Sequence, residues 1–125
     1  MKFTFNGYGE YESPQSQIEF SNEDFYSLDT VLAHVIGPSL KKFRECAVSK
    51  SIPAIFCYAL TDIPALDQKY VTSNNAQNTW ENILDAMIKG FDLLVYDSST
   101  SDKNAMRDIK EGLRLFAAYY SHLWT

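Results

Sequence analysis

Basic charge is the first thing this 125-residue chain is short of: 11 Lys and Arg stand against 16 Asp and Glu, a formal net charge of −5. Phosphate binding relies on clustered Lys and Arg, so the balance speaks against a nucleic-acid partner. Cysteine is scarce as well. Cys46 and Cys57 show neither zinc spacing nor a CxxC pair, and they are expected to be reduced, buried thiols of a cytosolic protein. The two histidines, His34 and His122, form no HxxxH or HxxE pattern, so neither a metal nor a cofactor is expected. Long apolar runs are missing too. The best candidate, Ile52 to Leu60, is far below the ~20 residues of a bilayer span and contains Pro53. The first residues, Met1-Lys2-Phe3-Thr4-Phe5, alternate instead of forming an apolar block, which argues against a signal peptide and a membrane setting. There is no GxSxG elbow and no GxGxxG loop, Gly7-Tyr8-Gly9 reading as a turn, so no catalytic residue is nominated and a non-enzyme is expected.

What the chain does have is apolar bulk: 46% hydrophobic and 14% aromatic residues, enough to close a core without disulfides or metal. No repeat or linker interrupts it, and one domain over residues 1–125 is expected. The fold class is mainly α with a small N-terminal β-hairpin, three amphipathic helices sharing one core. Phe3 and Phe5, then Ile18 and Phe20, alternate with polar neighbours around a turn-prone stretch from Asn6 to Pro14. Leu28, Val31, Leu32, Val35, Ile36, Leu40 and Phe43 recur at three and four, predicting a helix from Ser27 to about Val48. Pro38 should kink it, and Ser21 or Asn22 can cap an earlier turn. Residues 49–77 read as irregular, a length of loop that is more often functional or mobile than idle. Trp80, Ile83, Leu84, Met87, Ile88, Phe91, Leu94 and Val95 predict a second helix capped by Asn78 or Thr79, with Asp85 and Lys89 paired on its wet side. A third helix from Ser101 or Asp102 should bury Met106, Ile109, Leu113, Phe116, Tyr120 and Trp124. Trp80, Met87, Phe91, Leu113, Phe116 and Phe43 are expected to meet in the core.

Three groups of residues could carry function. His34 falls on the polar side of the first helix one turn before Pro38; it could act as a base or ligand, although a solvated surface position is the commoner role for such a residue. Glu81, Asp85 and Asp92 make an acidic row on the second helix, suited to acid/base work or simply to water. Leu115, with Ala118, Tyr119 and His122, falls opposite the expected core stripe of the third helix. Such a patch suggests a homo-oligomer, most simply a dimer, which Leu115→Glu would weaken. Tyr8, Tyr11, Tyr26, Tyr58, Tyr70 and Tyr96 gather in expected loops and strand ends, where aromatics serve binding or simply edge the core.

Three blocks of the chain also carry a resemblance. Trp80-Glu81-Asn82-Ile83-Leu84-Asp85-Ala86-Met87-Ile88-Lys89-Gly90-Phe91 follows W-x-x-x-L-D-x-M-I-x-x-F, and Gly112-Leu113-Arg114-Leu115-Phe116-Ala117-Ala118-Tyr119-Tyr120 leads to Leu123-Trp124. Upstream, Ser27 to Lys41 resembles S-L-D-x-T-L-A-x-x-I-x-P-x-L-K, with the threonine one place early at Thr30. Together the blocks look like a group of small uncharacterised accessory proteins of tailed bacteriophages. The resemblance covers about half the chain and implies a setting, the cytoplasm of an infected bacterium, without a site. Asp29, Lys41, Glu81 and Asp85 are polar members of these blocks and, with His34, Trp80 and Arg114, are nominated for recognition. The expected function is non-catalytic binding that acts on the host. One form sequesters a small nucleotide-like signal to counter defence, stacking on aromatics and holding phosphate through Lys41, Arg44 or Arg114. The other binds a host or phage protein near Leu115. A virion component, or an enzyme using His34, remains a further alternative.

Overall fold

The computed structural model describes residues 2–3, 18–19, 21–49, 63–96 and 102–123, and these are mainly helical. Its contacts fall into two compact units, Met1–Leu32 and Ala33–Thr125. In the first, β1 (Lys2–Phe3) pairs antiparallel with β2 (Ile18–Glu19), Lys2 opposite Glu19 and Phe3 opposite Ile18. The expected turn between them lies outside the described residues. A 3-10 turn over Asn22–Ser27 follows, and the Ser21 backbone N–H donates to Asp24 Oδ2 at 2.8 Å, closing the first turn. α1 (Leu28–Ser49) then begins; it runs through Pro38, and the Ser39 hydroxyl donates to the Val35 carbonyl at 2.6 Å.

The second unit is built on α2 (Ala76–Tyr96). Its start is earlier than the expected Asn78 or Thr79, because Asn75 Oδ1 accepts from the backbone N–H of Gln77 (2.9 Å) and Asn78 (3.4 Å). Thr79 is fully buried instead of capping. Trp80, Ile83, Leu84, Met87 and Phe91 are buried along one stripe, as their spacing predicts, each worth roughly 1.5–3 kcal/mol of removal from water. Asp85 and Lys89 do not pair with each other. Asp85 Oδ1 meets Arg44 Nε of α1 at 2.6 Å, and Lys89 reaches Asp108 at 3.3 Å, so each charge ties α2 to a neighbouring helix.

α3 (Lys103–Tyr119) starts at Asp102 as expected, with Asp102 Oδ1 accepting from the Asn104 N–H at 2.9 Å. Its orientation corrects the sequence reading. The buried arc is Ala105, Ile109, Gly112, Leu115 and Tyr119, whereas Leu113 and Tyr120, expected in the core, are 44% and 66% exposed. The cause is backbone contact. A Cβ built on Gly90 would lie 2.8 Å from the Gly112 Cα and 2.9 Å from the Asp108 carbonyl oxygen, so only paired glycines let α2 and α3 come this close. Gly112 therefore faces α2 and turns Leu115 inward and Leu113 outward. Trp124 lies outside the described residues. Edge-on ring pairs join the helices: Phe43–Trp80 at 6.3 Å and Phe91–Phe116 at 5.2 Å, with Trp80–Tyr119 tilted at 6.0 Å.

Candidate functional site

The irregular stretch before α2 contributes one buried carboxylate. Pro64 starts a 3-10 turn, Ala65–Tyr70, whose first bond runs from the Asp67 N–H to the Pro64 carbonyl at 2.8 Å. This points Asp67 inward, where it is 1% exposed. Arg114 Nη2 donates to its Oδ1 at 2.7 Å and the Tyr119 hydroxyl to its Oδ2 at 2.8 Å, so both oxygens are satisfied. Arg114 also donates through Nε to Glu111 Oε1 at 2.9 Å and through Nη2 to the same oxygen, and Lys69 Nζ holds Glu111 Oε2 at 3.1 Å. Burial pushes the Glu111 carboxyl upward, but the donors from Arg114 and Lys69 outweigh it and hold the group below the usual glutamate range. Burial and the hydrogen bond to Asp67 push the Tyr119 phenol well above its ordinary value, so it stays a donor. With its two cations and two carboxylates matched, the cluster pins the 3-10 turn to α3. Sequence reading missed Asp67, which stands in a segment without periodicity; its one cue was an acidic residue three places after a proline.

A second feature is apolar. Val35, Ile36, Ser39, Leu40 and Phe43 of α1, with Phe116 and Leu123, line a groove of about 310 Å³. Ser39, the polar residue of that lining, donates its hydroxyl hydrogen bond to the Val35 carbonyl and keeps only acceptor capacity. The walls therefore offer contact area and almost no hydrogen bonding, the property of a site for hydrocarbon or aromatic groups.

Most of the nominated recognition residues already have partners within the protein. Asp29 is exposed and belongs to the first unit, and His34 is exposed on α1. Lys41 Nζ pairs with Asp92 at 2.9 Å, Asp85 with Arg44, and Glu81 Oε1 accepts from Gln77 Nε2 at 3.2 Å. Trp80 is 0% exposed between the Phe43 and Tyr119 rings, so its indole supports the core and presents no binding face. The patch assigned to oligomerisation is also corrected. Leu115 is 0% and Tyr119 3% exposed, because the Gly90–Gly112 contact turns that side of α3 inward. Of the four, Ala118 remains exposed, and His122 is half-buried with its ring 6.2 Å from that of Tyr119. Cys46, expected buried, is exposed, and Cys57 lies outside the described residues. Among the expected loop tyrosines, Tyr26 is 84% exposed, and Tyr70 is half-buried beneath the Lys69 ammonium, 5.3 Å from its ring centre.

Among the described residues no group of three His, Cys, Asp or Glu could hold a metal ion, and no helix is long and apolar enough to cross a membrane. Comparison of the chain with protein-family models, curated proteins and solved structures finds no match.

Proposed function

We propose that this chain is a non-catalytic binding protein of the tailed-phage accessory type, which engages a host or phage protein in the cytoplasm of an infected bacterium. The observation that carries the reading is the groove between α1 and the end of α3, whose lining is apolar apart from Ser39, the hydroxyl of which donates to the Val35 carbonyl. The phage setting rests on the three sequence blocks alone. Sequestration of a nucleotide-like signal is the weaker reading, because its three phosphate-binding cations already hold carboxylates: Lys41 with Asp92, Arg44 with Asp85, and Arg114 with Asp67 and Glu111. Recruiting any of them to phosphate breaks an existing ion pair.

Photo-crosslinking tests the proposal. A benzophenone amino acid replacing Ser39 in the groove should yield a discrete protein adduct in bacterial cells, and the same group at Lys89 on α2 should not. Native mass spectrometry of the purified protein supplies the other arm. A retained nucleotide with no adduct at residue 39 would overturn the protein-binding reading.

A further inference from the structure

The cations of α3 stand along one side of the helix, beyond the apolar residues that flank the groove. Lys103, Arg107, Lys110 and Arg114 recur at i, i+4, i+7 and i+11, which places them along one ridge of the helix. Arg114 is committed to Asp67 and Glu111, but Lys103 and Lys110 are exposed and Arg107 is 74% exposed. Arg107 Nε stands 3.8 Å from the Asp108 carboxylate, which also takes Lys89. Between this ridge and the groove lies an apolar shoulder. Leu113 and Tyr120 are exposed on it at i and i+7, and Phe116 joins it to the groove wall.

In order around the helix, then, come the buried arc, the groove, the apolar shoulder and the basic ridge. We infer that this surface docks an acidic amphipathic helix of a partner protein, one large apolar side chain entering the groove while Asp or Glu along the same helix meet Lys103 and Lys110. The inference rests on the protein-binding reading above and specifies the partner's chemistry. Charge complementarity chooses the occupant: in a chain of net charge −5, two exposed lysines beside an apolar strip match acids. A second copy fits less well, since a twofold pairing of this face on itself adds the same cations and no acid. An anionic membrane uses the ridge but leaves the pocket without a role, and the overall negative charge opposes it.

A library of displayed random peptides, each about 15 residues so that one helix can form, tests this directly. The immobilised full chain should retain sequences with large apolar residues at three- and four-residue spacing and with Asp and Glu exceeding Lys and Arg about twofold or more. An acidic protein without such a surface would enrich basic peptides. A recovered peptide made synthetically should bind about tenfold more weakly to the Lys103→Glu/Lys110→Glu variant, and more weakly to Leu113→Lys. Peptides with no acidic excess that Ile36→Glu nevertheless abolishes would overturn this inference and leave the groove reading standing. Binding to vesicles of phosphatidylcholine and phosphatidylglycerol, with no peptide recovered, would overturn it in favour of a membrane surface.

Discussion

An alanine at Gly112 would put its Cβ 2.8 Å from the Gly90 Cα and 3.2 Å from the carbonyl oxygens of Ala86 and Met87. These neighbours are backbone, so no side chain can swing aside. Restoring ordinary carbon contact at about 3.5–4.0 Å requires α2 and α3 to part by roughly 1 Å. A gap of that size forfeits about a quarter to a half of the dispersion attraction between atoms that faced each other. The pairs at stake include Trp80–Tyr119 and Phe91–Phe116. Overpacking of this kind costs about 1–3 kcal/mol, and loosened contacts add to it; against this, alanine gains about 1 kcal/mol of helix propensity over glycine. The expected net loss is about 1–3 kcal/mol, which is roughly 3–6 °C in Tm per kcal/mol for a chain of this length. Urea unfolding followed by circular dichroism measures it. Gly37→Ala is the control, because its Cβ would meet the Phe91 Cβ at an ordinary 3.7 Å, and it should stay within about 1 kcal/mol of the parent. Gly90→Ala and Gly112→Ala together should cost less than their sum, since the first already separates the helices. A Gly112→Ala protein as stable as the parent would refute the close approach.

Leu115→Ala should destabilise by about 2–5 kcal/mol in the same assay, where a surface leucine would lose little. Tyr119→Phe removes one of the two donors to the buried Asp67 and should cost about 1–3 kcal/mol, with Arg114 still in place. Glu111 has a folded pKa below its ordinary 4.5, so it binds a proton less readily when folded; its stabilisation is complete above the unfolded value and is lost as pH falls through the folded one. The unfolding free energies of the parent and Glu111→Gln, measured in urea at a series of pH values, should therefore differ most above the ordinary value of 4.5 and converge as pH falls below it. Phe91→Ala should lose about 3–5 kcal/mol in chemical denaturation.

The α2 stripe was legible because its large apolar residues crowd one arc and nothing competes with them. α3 was not, because it carries two apolar arcs. Met106, Leu113, Phe116 and Tyr120 form the bulkier one, yet Ala105, Ile109, Gly112, Leu115 and Tyr119 are buried. Counting large side chains favours the wrong arc, since the residue that decides the orientation is a glycine. The missed signal was there: Gly90 and Gly112 each sit inside a helix, where glycine costs about 1 kcal/mol against alanine and calls for a packing reason. The charged candidates were misread for a related reason. Lys41, Arg44, Asp85 and Asp92 look like free surface on separate helices, and only tertiary packing pairs them. The groove was hidden because Val35, Ile36, Leu40 and Phe43 have the spacing of an ordinary core stripe.

The groove, the apolar shoulder and the basic ridge all depend on which side of α3 is buried, and thiol accessibility reads that side directly. In a background with Cys46 and Cys57 replaced by serine, Leu113→Cys and Leu115→Cys are labelled with a maleimide under native conditions. The cysteine at 113 should react at nearly the rate of an unfolded peptide, and the one at 115 only through unfolding, slower by about two orders of magnitude or more. Fast labelling at 115 with protection at 113 would reverse α3 and remove the proposed binding surface.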